Sequence, residues 1–99
     1  MIVRIVEMHF KPEHVEDFKL LFEKKKEKIR SFPGCLYLEL LQGTIADTTT
    51  LSTYSHWESA QALEDYRYSD LFAETWKETK SLFSAIAKAQ SYERLHKLP

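Results

Sequence analysis

One cysteine, two glycines and three prolines are all that this 99-residue chain has of the residues that most constrain a backbone or cross-link it. The lone Cys35 excludes an internal disulfide and fits a reducing compartment. Two glycines cannot supply a Gly-rich phosphate cradle, and neither a Gly-x-Ser-x-Gly elbow nor a Ser-His-Asp set occurs. An excess of one charge is also lacking. Fourteen Lys and Arg face fifteen Asp and Glu, a formal charge of −1, so no general field attracts a phosphate backbone and nucleic acid is not expected as a partner. The apolar runs are a few residues long, far short of a membrane span, and Met1-Ile2-Val3-Arg4 lacks the layout of a signal peptide. A cytoplasmic chain without membrane contact is expected.

What is present is ordinary for a packed protein: 43% apolar and 29% charged residues, in a length that makes one domain over residues 1–99. Residues 2–10, rich in β-branched side chains and bounded by Lys11-Pro12, predict a first strand. Pro12 suits a first helical position, Glu13, Glu16 and Asp17 suit the positive end of a helix dipole, and Val15, Phe18, Phe22 and Ile29 recur at helical spacing. A helix is predicted over about 12–31. Its lysine-rich second half reads as a solvated face that complements the dipole rather than as an anion site. Phe32-Pro33-Gly34 stops it, residues 35–41 form a second strand, and Gly43 to Asp47 a turn. Both glycines are expected where the backbone needs positive φ. A third strand is expected over 48–57, opening on Thr48-Thr49-Thr50. A short helix follows from Ser59, then a second one capped by Ser69 with Phe72, Trp76, Thr79 and Phe83 on one face, and a last strand over about 85–95.

The order βαββαβ predicts a ferredoxin-like α+β fold: a four-stranded antiparallel sheet with the helices on one face. Strand one carries Ile2, Val6, Met8 and Phe10 on one side and Val3 and Ile5 on the other, so both faces read as covered. Since the helices cover only one, the other is expected to pack sheet against sheet on a second copy. Scattered surface apolars are the plainer alternative for Val3 and Ile5.

The densest chemistry lies between Trp57 and Trp76. Tyr66 and Trp76, on helices facing the sheet, are placed to bracket a flat ligand or to fill the core, and Trp57 reads first as a core anchor. An unperturbed phenol is a poor base near neutrality, whereas histidine titrates there. His9 and His56 fall on neighbouring strands, and either would be the best available general base if its imidazole enters the pocket; a place on the sheet surface or at a dimer interface is the competing reading. No histidine pair stands at i,i+3 or i,i+4 and no carboxylate motif accompanies them, so no metal is expected. Cys35 reads as a small buried hydrophobe. Arg67 and Arg94 read as solvent-exposed charges, or as partners of an anionic substrate.

Pro33-Gly34-Cys35-Leu36, then Tyr54-Ser55-His56-Trp57-Glu58-Ser59 with Ala62-Leu63, and Ser69-Asp70-Leu71-Phe72 resemble the antibiotic biosynthesis monooxygenase domain of the dimeric α+β barrel superfamily. The resemblance spans nearly the whole chain. It implies a homodimer with one pocket per subunit between sheet and helices, and oxygen chemistry that in the polyketide-type members needs no metal, flavin or other cofactor. Two histidines common in the family are replaced, by Tyr66 and Leu71. In the heme-degrading branch the proximal histidine aligns with Trp76, a catalytic tryptophan with Tyr66 and a pocket asparagine with Val6. An indole nitrogen only donates, so it cannot ligate iron, and heme degradation is disfavoured. The resemblance implies a cofactor-independent monooxygenase of a small aromatic, quinol or polyketide-like substrate; by their own chemistry and placement Trp57, Tyr66, Phe72 and Trp76 are the candidates to bind it, and His9, His56 or Tyr66 the candidate catalytic groups. The alternative is a non-catalytic homodimer that binds a small ligand or a partner protein.

Overall fold

A computed structural model describes all 99 residues. Strands β1 (Ile2–His9), β2 (Cys35–Gln42), β3 (Thr50–Trp57) and β4 (Lys88–Glu93) form one antiparallel sheet in the order β2-β3-β1-β4. Helices α1 (Val15–Arg30), α2 (Ala60–Arg67) and α3 (Asp70–Lys80) complete the chain. This is the expected ferredoxin-like arrangement. No helix is long and apolar enough to cross a membrane.

Local chemistry explains where the element bounds differ from expectation. Pro12–His14 forms a single 3₁₀ turn, and α1 begins only after it. The threonine run enters β3 two residues late, because the Asp47 carboxylate accepts from the Thr49 backbone N–H at 3.1 Å, from the Thr49 hydroxyl at 2.9 Å and from the Thr50 hydroxyl. That local turn competes with the ladder. β4 starts at Lys88 rather than 85, since Phe83 first bridges Phe10 and the Ser84 N–H donates to the His9 carbonyl at 2.8 Å. It ends at Glu93, opposite Ile2, where β1 itself begins.

The glycines split in role. Gly34 has φ +90°, and a Cβ there would overlap Ala62 Cβ, so the turn into β2 sits directly under α2. In the second turn the positive φ falls on Ile45 instead, at 46°. Gly43 is required by space, since a Cβ would collide with the Asp47 carbonyl oxygen.

Helices α2 and α3 are separated by a capped break. The Ser59 hydroxyl accepts from the Ala62 N–H and the Ser69 hydroxyl from the Phe72 N–H, each at 3.1 Å, caps worth about 1 kcal/mol apiece. The break lets two short helices follow the twisted sheet. Beneath the helices the core is divided. Met8, Phe10, Val15, Phe18 and Leu51 form one buried cluster, and Cys35, Trp57, Ala62 and Leu63 form another at the opposite end of the sheet.

Candidate functional site

The register explains the gap between the two clusters. On the helix-covered face one end rung reads Cys35, Trp57, Ile2, and toward the other end stand Leu51 and Met8. Between them lie the rungs Leu38, Ser55, Arg4, Ser91 and Leu40, Thr53, Val6, Ala89. On β3 the side chains shrink from tryptophan to serine and threonine, then grow back to leucine. Small residues there leave room that the helices do not fill.

The result is a cavity of about 80 Å³. Its floor is Arg4, Val6, Leu38, Thr53 and Ser55; Tyr66 of α2 with Phe72, Thr75, Trp76 and Thr79 of α3 form the roof; Trp57 and Met8 close the ends. Aromatic rings run along the roof. Tyr66 stacks on Trp57 with centroids 4.9 Å apart, meets Phe72 edge-on at 5.3 Å, and Phe72 stacks on Trp76 at 5.8 Å. The walls are pinned, since the Trp57 indole N–H donates to the Ser55 hydroxyl at 3.0 Å, and Trp57 is only 1% exposed.

Electrostatics here follow from burial. The Tyr66 phenol is pushed up to about 12, chiefly by desolvation, with the Cys35 sulfur adding to the effect and the Arg4 cation opposing it. Tyr66 is a proton donor at any physiological pH. Burial lowers the Arg4 guanidinium from its ordinary value, and Arg67 nearby lowers it further, against Tyr66 and Glu64. Burial likewise raises the Cys35 thiol, outweighing Arg30. Thr75 Oγ1 is buried in the cavity wall without a hydrogen-bond partner.

Of the residues singled out from sequence, Trp57, Tyr66, Phe72 and Trp76 all meet at this cavity. His9 and His56 do not. They project from the opposite face, alternate with the floor residues along β1 and β3, and have other neighbours. His9 Nδ1 lies 3.0 Å from Thr50 Oγ1 and its Nε2 3.3 Å from Glu7. His56 stacks on Tyr37 at 4.8 Å and packs edge-on against Tyr54 at 5.1 Å. The Arg94 guanidinium lies against the His56 ring, Nη2 3.1 Å from each nitrogen. Burial, then Arg94 and Lys97, lower its pKa. The strand register turns both histidines away from this pocket, so the condition on which either would serve it as a base is not met, and both take the competing place on the other face of the sheet. Arg67 is paired with Glu64 at 2.9 Å.

Arg4, Thr53, Ser55 and Thr75 line the cavity as well and are not among the residues singled out from sequence. For Arg4 the signal was present: it alternates with Ile2, Val6 and Met8, a cation within the apolar side of a strand. A heme does not fit, because the cavity is far smaller than a macrocycle and no imidazole or thiol lines it.

The sequence profile of the family described as "Antibiotic biosynthesis monooxygenase" matches residues 1–78. Among curated proteins no sequence match is found. Solved structures superpose closely at low identity. Rv0793 from Mycobacterium tuberculosis is 17% identical, with TM-score 0.88 over 99% of this chain and 98% of that one. A monooxygenase-named protein from Nitrosomonas europaea is 23% identical, with TM-score 0.86 over 97% and 100%. Another from Deinococcus radiodurans is 16% identical, with TM-score 0.89 over 100% and 97%. Likeness at these identities establishes the fold alone.

Proposed function

We propose, for a chain that belongs to the antibiotic biosynthesis monooxygenase family, a single-domain, cytoplasmic, cofactor-independent oxygenase acting on a small aromatic, quinol or polyketide-like compound held between sheet and helices. The observation that carries this reading is the aromatic-walled cavity with one protonated phenol in its roof. Trp57, Tyr66, Phe72 and Trp76 exclude water and orient the ring, and the Tyr66 O–H donates to an oxyanion on it. No lining imidazole or carboxylate stands ready to take a proton. The substrate therefore enters as an anion, its proton already lost to water. That electron-rich anion reduces dioxygen, one oxygen atom bonds to the ring carbon that has kept one hydrogen, the O–O bond breaks, and the second oxygen leaves as hydroxide with that hydrogen, to be made water by the proton lost at the start. A CH₂ group plus O₂ becomes a carbonyl plus water, the substrate supplying all four electrons.

Dimerisation belongs to the same reading. The isolated chain exposes 6696 Å², whereas a folded monomer of 11.7 kDa is expected to expose about 5,900 Å². The excess is roughly what one partner contributes to a standard interface, about 800 Å². The sheet face away from the helices carries Ile5, Tyr37, Tyr54, His56 and Tyr92, and supports a sheet-to-sheet contact with a second copy.

Oxygen uptake tests the reaction. Aerobic assay of quinols and polyphenols is expected to show uptake by the wild type that falls at least tenfold in the double variant Tyr66→Phe, Trp76→Ala. Equal, background-level uptake by both proteins overturns the oxygenase. Because no proton acceptor lines the cavity, binding without uptake would instead identify a ligand-holding homodimer.

A further inference from the structure

Arg4 is the one charged side chain in the cavity lining. It projects from the central strand between Ser55 and Ser91, and its single hydrogen bond runs from Nη1 to Ser91 Oγ at 3.3 Å. None of the chain's six ion pairs includes it. A guanidinium carries five donors and prefers an anionic oxygen, and all but one of those of this half-buried group lack a partner within the protein, so they are free to meet a ligand. The groups acting on it electrostatically are Arg67, Tyr66 and Glu64. Glu64 is already committed to Arg67. The two largely cancel each other, which leaves Arg4 as the uncompensated charge at the cavity.

Thr75 adds an independent observation. Its hydroxyl is buried in the same cavity with no partner, which is unfavourable unless a bound group meets it. The remaining lining is largely apolar and aromatic. The cavity, about 80 Å³, is about half the ~150 Å³ apolar cavity that holds benzene in an engineered protein, so one ring is the most it takes, and that ring fits only as the side chains around it give way.

We infer that Arg4 is the residue that selects the ligand: it takes the anionic oxygen of a single-ring hydroxyaromatic or aromatic carboxylate, while Thr75 meets a second oxygen on the same ring. This rests on the aromatic pocket proposed above and names the charge state that the pocket accepts. Phenolate and carboxylate present the same anionic oxygen to the guanidinium. The first is the form able to reduce dioxygen; the second would be an anchor only.

The test uses the full chain and 4-nitrophenol, whose ionisation is visible as a yellow band, with neutral 4-nitroanisole as its uncharged counterpart; binding of both is followed by quenching of tryptophan fluorescence. Wild-type protein is expected to lower the ionisation midpoint of bound 4-nitrophenol by about one pH unit, a tenfold preference for the anion. Arg4→Gln is expected to abolish that shift and change 4-nitroanisole affinity less than twofold, while Arg4→Lys restores part of the shift. Benzoate against benzamide reads the carboxylate arm in the same way. A midpoint unshifted or raised in the wild type, together with benzoate binding no tighter than benzamide, overturns the inference with no variant needed. So does a shift that survives in Arg4→Gln. If 4-nitroanisole binds and the anions gain nothing, the pocket stands and Arg4 selectivity falls; if none of the four compounds binds, both fall.

Discussion

The two faces of this sheet are built from the same four strands and differ in almost everything else. On the helix-covered face large residues sit at the ends and small hydroxyl residues in the middle, so packing leaves a void lined by rings and one cation. On the other face Tyr37, Tyr54 and His56 pack against each other beside Val3 and Ile5, with no helix above them. Val3 is only 7% exposed even so. A period-two alternation thus separates a surface suited to holding a small molecule from one suited to meeting a flat, equally aromatic surface. The residues that invite catalytic roles by type alone, the two strand histidines, fall on the second.

The contrast breaks most visibly at Trp57. Replacing it with alanine removes the end wall of the cavity and leaves Ser55 without its indole donor. Thermal or urea unfolding is expected to show a loss of about 3–5 kcal/mol, and a loss under 1 kcal/mol would mean that this end of the core is not load-sharing. On the open face, Tyr54→Glu is expected to leave the circular dichroism spectrum unchanged and weaken self-association at least a hundredfold, a change of about 2.7 kcal/mol characteristic of an interface centre. Sedimentation should then give 11.7 kDa, with the wild type at twice that mass. A wild-type monomer at tens of micromolar would remove the open face from the comparison.

Tyr66 separates the faces by pH. Its phenol titrates at about 12 when folded and near 10 when unfolded. The unfolded chain therefore loses its proton first, so this residue's stabilising contribution is complete below pH 10 and disappears as pH rises to 12. The loss should be on the order of 2–3 kcal/mol, absent in Tyr66→Phe, and readable as the difference in alkaline unfolding between the two proteins. Thr75→Val probes the same wall more gently. Removing an unpartnered buried hydroxyl in a near-isosteric change is expected to raise stability by up to about 1 kcal/mol, while weakening the binding of a ring with two oxygens.

Much of this was legible in the residues. Strand, helix and turn order followed from β-branched runs, 3.6-residue spacing and the two serine caps, because those signals are local. The roof of the cavity was legible too, since Tyr66, Phe72 and Trp76 recur on helices that must face a sheet. The floor was not. Whether Ser55 and Thr53 lie under Tyr66 or on the far side depends on which way β3 is turned, and a one-residue change in register exchanges the two faces. The same ambiguity left His9 and His56 as candidate bases, and it resolves only when Ile2 is set opposite Trp57 and Val3 opposite His56. The bounds of β3 and β4 were hidden for a different reason: Asp47 and Phe83 make contacts that competed with the ladder.

The chain has only two tryptophans, Trp57 and Trp76, and both line the covered face. Two-dimensional nitrogen–proton spectra recorded during titration with hydroquinone under nitrogen therefore test directly which face holds a small ring. We expect both indole resonances to shift in a saturable way while the backbone amides of Ile5, Tyr54 and His56 stay in place. Movement confined to those open-face amides, with the indoles unchanged, would contradict the assignment of the pocket to the helix-covered side.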